Sequence, residues 1–259
     1  MKYMIFTKQK IIMFAVCACA LALAAIIAVN TTFTAITTAS SNRVIPIYCV
    51  DRGEEKICSI SFDAAWGDEQ TNTLLDTLDK YKVKSTFFLV GDWVDKYPDA
   101  VKEIAKRGHD IGSHSDTHPH MTQLSESKMT EELKLSQEKI TAITGKPTTL
   151  FRPPYGDYNN AVVNAVKAQN MYCVQWDVDT LDWMDPSPSQ MVQTVQKKLK
   201  PGSIILMHNG AKNAPEALPM ILEYIQKQGY KLVPISQLIP SGEYYTDHEG
   251  KMHLGKAPE

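Results

Sequence analysis

Beyond residue 43 the chain alternates between short apolar runs and longer stretches in which apolar residues recur every three or four positions. The runs predict strands over Lys56–Phe62, Ser85–Leu89, Asp110–Ser113, Thr149–Arg152, Tyr172–Val178, Ser203–Met207 and Lys231–Pro234. The amphipathic stretches predict helices over Glu69–Tyr81, Pro98–Arg107, Ser125–Thr144, Asn159–Gln169, Ser187–Leu199 and Ala214–Gln228. Punctuation supports these limits. Ser125 is a good N-cap, Pro98 suits a first helical turn, and Gly108, Gly145 and Gly229 stop three helices. Strand–helix alternation of this kind predicts a parallel α/β sheet, either open and doubly wound or closed as an incomplete, distorted (β/α) barrel.

That arrangement carries a chemical consequence, because all strands of a parallel sheet point their C-terminal ends to one rim. Asp63 follows the first strand; His114 and His118 follow the third; Arg152 ends the fourth; Asp179 and Asp182 follow the fifth; His208 follows the sixth. The order of elements therefore gathers these polar groups at one place.

The first forty residues follow a different pattern. Lys2, Lys8 and Lys10 precede an unbroken apolar run from Ile11 to Val29. At ~1.5 Å per residue the run is about 28 Å long, close to a bilayer's hydrocarbon core. An uncleaved transmembrane anchor is favoured over a cleaved signal, for which Thr37-Thr38-Ala39 is a weak site. The lysines place residues 1–10 in the cytoplasm and the rest outside, so the expected location is a single-pass protein of the cell membrane. Residues 30–42 read as a flexible tether, 43–240 as the catalytic-type domain, and 241–259 as a polar tail or short hairpin. A net charge of −2, with no basic stripe, argues against nucleic acid as a partner. Cys49 and Cys58 flank a turn-like DRGEE and could pair only if the geometry brings them together.

Each candidate has an ordinary structural role as well as a chemical one. The pair His114 and His118 suits metal ligation, yet surface or capping histidines share this spacing, and Pro119 disfavours helix at His118. Asp63 suits a general base or the cap of the next turn. Arg152-Pro-Pro-Tyr-Gly156 is a rigid loop that can fix an arginine and a backbone N–H, or simply a turn with a salt bridge. Asp182 beside Trp183 suits a sugar site or a buried core tryptophan. His208 suits a general acid if a carboxylate partners it.

Taken in order, SFDAAWG (61–67), HSDTH (114–118), RPPYG (152–156), DTLDW (179–183) and LMH (206–208) resemble the motifs of the polysaccharide deacetylase family, whose shared unit is the NodB-homology domain. The resemblance covers roughly Lys56 to Leu238. The AAWG ending, the anchor and the lead-in IPIYCV are most similar to its sporulation-associated PdaB-type branch. The resemblance implies a distorted (β/α) barrel that removes N-acetyl groups from amino sugars of peptidoglycan or a related glycan, as a monomer. It implies a divalent metal, usually zinc, on His114 and His118, with Asp63 as base and Arg152 orienting it. It further implies that the Tyr155 N–H stabilises the oxyanion, that His208 is the acid tuned by Asp182, and that Trp183 and Leu206 shape the acetate pocket. One position departs from the family: Ala64 stands where a second aspartate supplies the third metal ligand. Catalytic zinc normally has three protein ligands, so this departure implies weaker metal binding, replacement by Asp63, Asp68 or Asp116, a glycan-binding member without turnover, or hydrolysis of another linkage such as an ester.

Overall fold

The computed structural model describes Lys8, Leu21–Ala25 and residues 43–258. Apart from Leu21–Ala25, the expected anchor lies outside the described residues, among which no helix is long and apolar enough to cross a membrane. Val44–Glu259 forms one compact unit.

Its strands are β1 (Cys49–Val50), β2 (Ile57–Ala64), β3 (Thr86–Leu89), β4 (Asp110–Ser113), β5 (Leu150–Phe151), β6 (Tyr172–Cys173), β7 (Val178–Asp179), β8 (Ile204–His208), β9 (Lys231–Leu232), β10 (Tyr244–Thr246) and β11 (Lys251–Leu254). The main sheet runs β6-β5-β4-β3-β2-β8-β7, with β9 beside the start of β2, and every one of these pairings is parallel. It is a curled half-barrel. The helices are α1 (Thr71–Lys80), α2 (Gly91–Lys96), α3 (Pro98–Lys106), α4 (Glu126–Thr144), α5 (Asn160–Ala168), α6 (Pro188–Lys198), α7 (Ala214–Lys227) and α8 (Ile235–Leu238).

Strand β2 shows how the sheet positions its chemistry. All eight of its residues are buried, and alternation sorts them onto two faces. Cys58, Ile60, Phe62 and Ala64 join the apolar cluster with Leu74, Leu75 and Leu78 of α1 and Ile221 and Leu222 of α7. The intervening Ser59, Ser61 and Asp63 are polar, and each finds partners: Ser59 Oγ donates to Val233 O at 2.6 Å and Ser61 Oγ to Ile205 O at 2.9 Å. A polar strand face is tolerable inside a protein only when satisfied in this way.

The helix limits follow their local signals. Ser125 accepts from the Lys128 N–H at 3.4 Å, and Gly145 ends α4 at φ 70°, where a side chain would be strained. Ser187 and Gln190 make a capping box at the start of α6.

Two differences from the expected elements stand out. The single strand over Tyr172–Val178 is two strands at opposite edges of the sheet order. Between them the chain is diverted: Gln175 N donates to Ile47 O at 2.7 Å, and Asp177 accepts from Ile204 N at 2.8 Å. The short helices α2 and α8 are additions, too short to show a 3.6-residue period. Residues 244–254 form a hairpin whose strand β11 also pairs in parallel with β1, and His253 bridges Asp51 at 2.9 Å and Asp247 at 3.0 Å. The cysteines Cys49, Cys58 and Cys173 are all free and buried.

Candidate active site

The centre of the rim is set by the pairing of β2 with β8, whose register places Asp63 opposite His208. In-register neighbours on adjacent strands share a face, so both side chains turn into the same cleft of about 440 Å³. His114, His118, Tyr155, Trp183 and Leu206 also line it, as do Trp66, Trp176 and Asp179. Arg152 and Asp182 stand behind it, fully buried.

Arg152 reaches forward from the end of β5. Its guanidinium donates to Asp63 Oδ1 at 2.6 Å, to Ser61 Oγ at 2.9 Å and to Gln175 O at 3.1 Å, and lies 4.1 Å from the Phe88 ring centroid. Burial works against charge on Asp63, but Arg152 prevails and holds the carboxyl below the usual carboxylate range. The far oxygen, Oδ2, faces His114 Nε2 at 3.6 Å.

His208 is the complementary case. Its backbone N–H donates to Asp182 Oδ2 and its Nδ1–H to Oδ1, both at 2.7 Å. Since the carboxylate only accepts, Nδ1 carries hydrogen and Nε2 is left for the cleft. Burial opposes a charged ring here too, but the bonded Asp182 outweighs it and raises the pKa. The acid-leaning His208 and the base-leaning Asp63 are thus driven apart in proton affinity by separate counter-charges, the arrangement general acid–base chemistry requires.

The two rim histidines differ from His208. His114 Nδ1 donates to Arg152 O at 2.7 Å, which leaves the Nε2 lone pair free toward Asp63. His118 follows at φ 60°, its ring centroid 4.9 Å from His114 and 4.5 Å from Tyr155. Burial lowers both, with His114 adding to the effect on His118, which falls to about 4. Both are neutral at pH 7, the form that binds metals. Among the described residues no third donor completes a group with them. Ala64 is fully buried in the apolar cluster on β2. Asp116 is held by Lys139 Nζ at 2.7 Å and, like Asp68, does not line the cleft. Among the described residues no three His, Cys, Asp or Glu side chains are grouped to hold a metal ion. The donors present do not fit the three-ligand site of a catalytic zinc.

Sequence reasoning missed the support beneath this rim. Glu132 of α4 accepts the backbone N–H groups of Asp116 and Thr117, each at 2.8 Å, and the Thr117 hydroxyl at 2.7 Å. It thereby fixes the loop that carries both histidines. No local signal marks Glu132; only its position on the inward side of an amphipathic helix hints at it. Trp66 was also missed as a wall of the cleft, although it stands in the AAWG segment.

The comparisons agree with this architecture. A family model described as polysaccharide deacetylase matches residues 51–174. A peptidoglycan-N-acetylglucosamine deacetylase of Bacillus cereus is 36% identical over 190 residues, covering 71% of this chain and 89% of that protein. The chain belongs to the polysaccharide deacetylase family. The uncharacterised protein YlxY of Bacillus subtilis is 36% identical over 194 residues, 75% of this chain, which spans only 60% of that relative. Among solved structures, a mutant of BA3943, a pseudoenzyme of carbohydrate esterase family 4 with restored enzymatic activity, superposes with a TM-score of 0.72 at 36% identity, covering 74% of this chain and 70% of that one. The wild-type pseudoenzyme comes from Bacillus anthracis.

Proposed function

We propose that the domain binds N-acetylated amino sugars of a cell-wall glycan, such as peptidoglycan, and hydrolyses their N-acetyl amide. One observation carries this reading: Asp63 and His208 are register partners on adjacent strands, each backed by a buried residue of opposite charge. Asp63 takes a proton from water as the water attacks the amide carbonyl. The C–N bond then breaks, and the His208 Nε2–H protonates the departing amine, so that acetate and a free amino sugar leave. Arg152 keeps Asp63 ionised, and Asp182 keeps His208 protonated. The Tyr155 N–H is assigned to the oxyanion, and Trp183 and Leu206 to the acetyl pocket. His114 and His118 are the donors that the family resemblance implies for zinc or another divalent ion, but by themselves they fall short of its three-ligand site.

The apolar run at 11–29 behind three lysines supports a membrane-tethered domain outside the cytoplasm, and the AAWG segment supports a place in the sporulation-associated PdaB-type branch. A second reading, glycan binding without turnover, is favoured by Ala64. Incubating the purified protein with chitin oligomers and peptidoglycan fragments, with and without added zinc or cobalt, separates the two. Acetate release supports hydrolysis. Binding without release under every metal supports the second reading, and neither binding nor release overturns both.

A further inference from the structure

We propose that Trp66 is a specificity-determining residue whose exposed indole face stacks on a pyranose ring next to the one that bears the amide; this rests on reading the cleft as a glycan site. Three observations carry it. Trp66 is 50% exposed, although its indole lies nearly parallel to the His208 imidazole, with centroids 5.6 Å apart and 20° between planes. The packed side is clamped. A Cβ at Gly210 would come within 2.9 Å of indole Cδ1 and Nε1 and 2.7 Å of Trp66 O, so only glycine lets the indole settle there. The cleft side is open and shared with Trp183, 57% exposed, and Tyr155, 61% exposed.

A large aromatic ring fixed on one side and bare on the other is a platform, and large apolar groups left open together mark a ligand site. A sugar ring suits it. The C–H face of a pyranose is flat and apolar, while its edge carries hydroxyls for an acceptor such as Asp179, which lines the same cleft. Because one face of Trp66 rests on His208, a ring stacked on the other face is separated from the acid by the indole and lies one place along the glycan from the amide under attack. Trp66 is therefore placed to hold a neighbouring sugar of the glycan and so to favour an oligomer over a single amino sugar.

The test is calorimetric binding of N-acetylglucosamine tetramer to the purified full chain, its Trp66→Ala and Trp66→Phe variants, and Gly210→Ala. Trp66→Ala is expected to weaken binding about tenfold, and Trp66→Phe to recover all but about two- to threefold. Gly210→Ala is expected to weaken binding in the wild type but to add little in the Trp66→Ala background, because the two act through one indole. Wild-type binding with Trp66→Ala unchanged within about twofold would overturn the platform and leave the glycan reading intact. No binding by the wild type to any N-acetylated oligomer would overturn both.

Discussion

Replacing Arg152 by methionine isolates the electrostatic cost of this site. The guanidinium is fully buried, and its bond to Asp63 Oδ1 is 2.6 Å. Methionine keeps much of the side-chain volume against Phe88 but leaves the carboxylate, itself only 4% exposed, without its counter-charge. Removing one partner of a buried pair costs about 3–5 kcal/mol. For a domain of this size each kcal/mol moves the midpoint by about 2–4 °C, so the variant should unfold about 6–20 °C below the wild type at pH 7. The pH dependence gives the sharper check. In the wild type Asp63 is held low, so the pair's contribution is in place above the unfolded carboxylate value near ~3.9 and is lost only as pH falls through the still lower folded value. In the variant burial is left unopposed by the arginine, and Asp63 takes up its proton earlier as the solution is acidified. The stability gap should therefore be widest at neutrality and shrink toward pH 4. Thermal melts across pH 4 to 7 measure it. A variant melting within about 2 °C of the wild type at pH 7, or a gap that does not change with pH, would refute the reasoning.

Three further outcomes are expected. Asp182→Asn removes the charge that raises His208, so the alkaline limb of acetate release should move to lower pH and kcat should fall about 100-fold or more, read from a pH–rate profile. Glu132→Ala frees three donors of the histidine loop and should cost about 1.5–3 kcal/mol in urea unfolding, whereas Glu132→Gln, which can still accept, should lose less. Ala64→Asp buries a carboxylate in an apolar cluster, so the metal-free variant should melt below the wild type, and added zinc should restore the loss if that carboxylate reaches His114 and His118. Melting of the variant with and without zinc reads this directly, and no recovery at saturating zinc would rule out position 64 as the place of a third donor.

Much of the fold was legible because its signals are local. Ser125 and Gly145 announce the ends of α4 through their own hydrogen bond and φ, and Asp63, His114, Arg152 and His208 stand at strand ends that follow apolar runs. What escaped depends on distant partners. The break between β6 and β7 is made by Ile47, more than a hundred residues away in sequence, and the pairing of β1 with β11 joins the two ends of the domain. Trp66 illustrates a different difficulty: an apolar residue after an apolar strand reads as core, and only its packing on His208 and Gly210 shows which face is left open.

The residues of the rim do not all bear on function in the same way. Arg152 and Asp63 hold each other inside the protein, and removing either one alone would leave a buried charge unpaired. Asp182 is tied to His208 in the same sense. Ala64 is the reverse, since an alanine suits the apolar cluster around it and dropping a carboxylate there spares the fold a desolvation cost. Among the described residues, five of the seven non-glycine residues with positive φ, namely Ser115, His118, Tyr155, Leu181 and Asp185, lie in the rim loops. Backbone of this kind costs about 1–3 kcal/mol per residue and persists where the surroundings enforce it. The same loops expose Tyr155 and Trp183. Large aromatic surface left open beside positive-φ backbone on one rim is the pattern of a ligand site. The aromatic surface bears on glycan binding and the acid and base pairs bear on hydrolysis, so binding must be measured separately from acetate release.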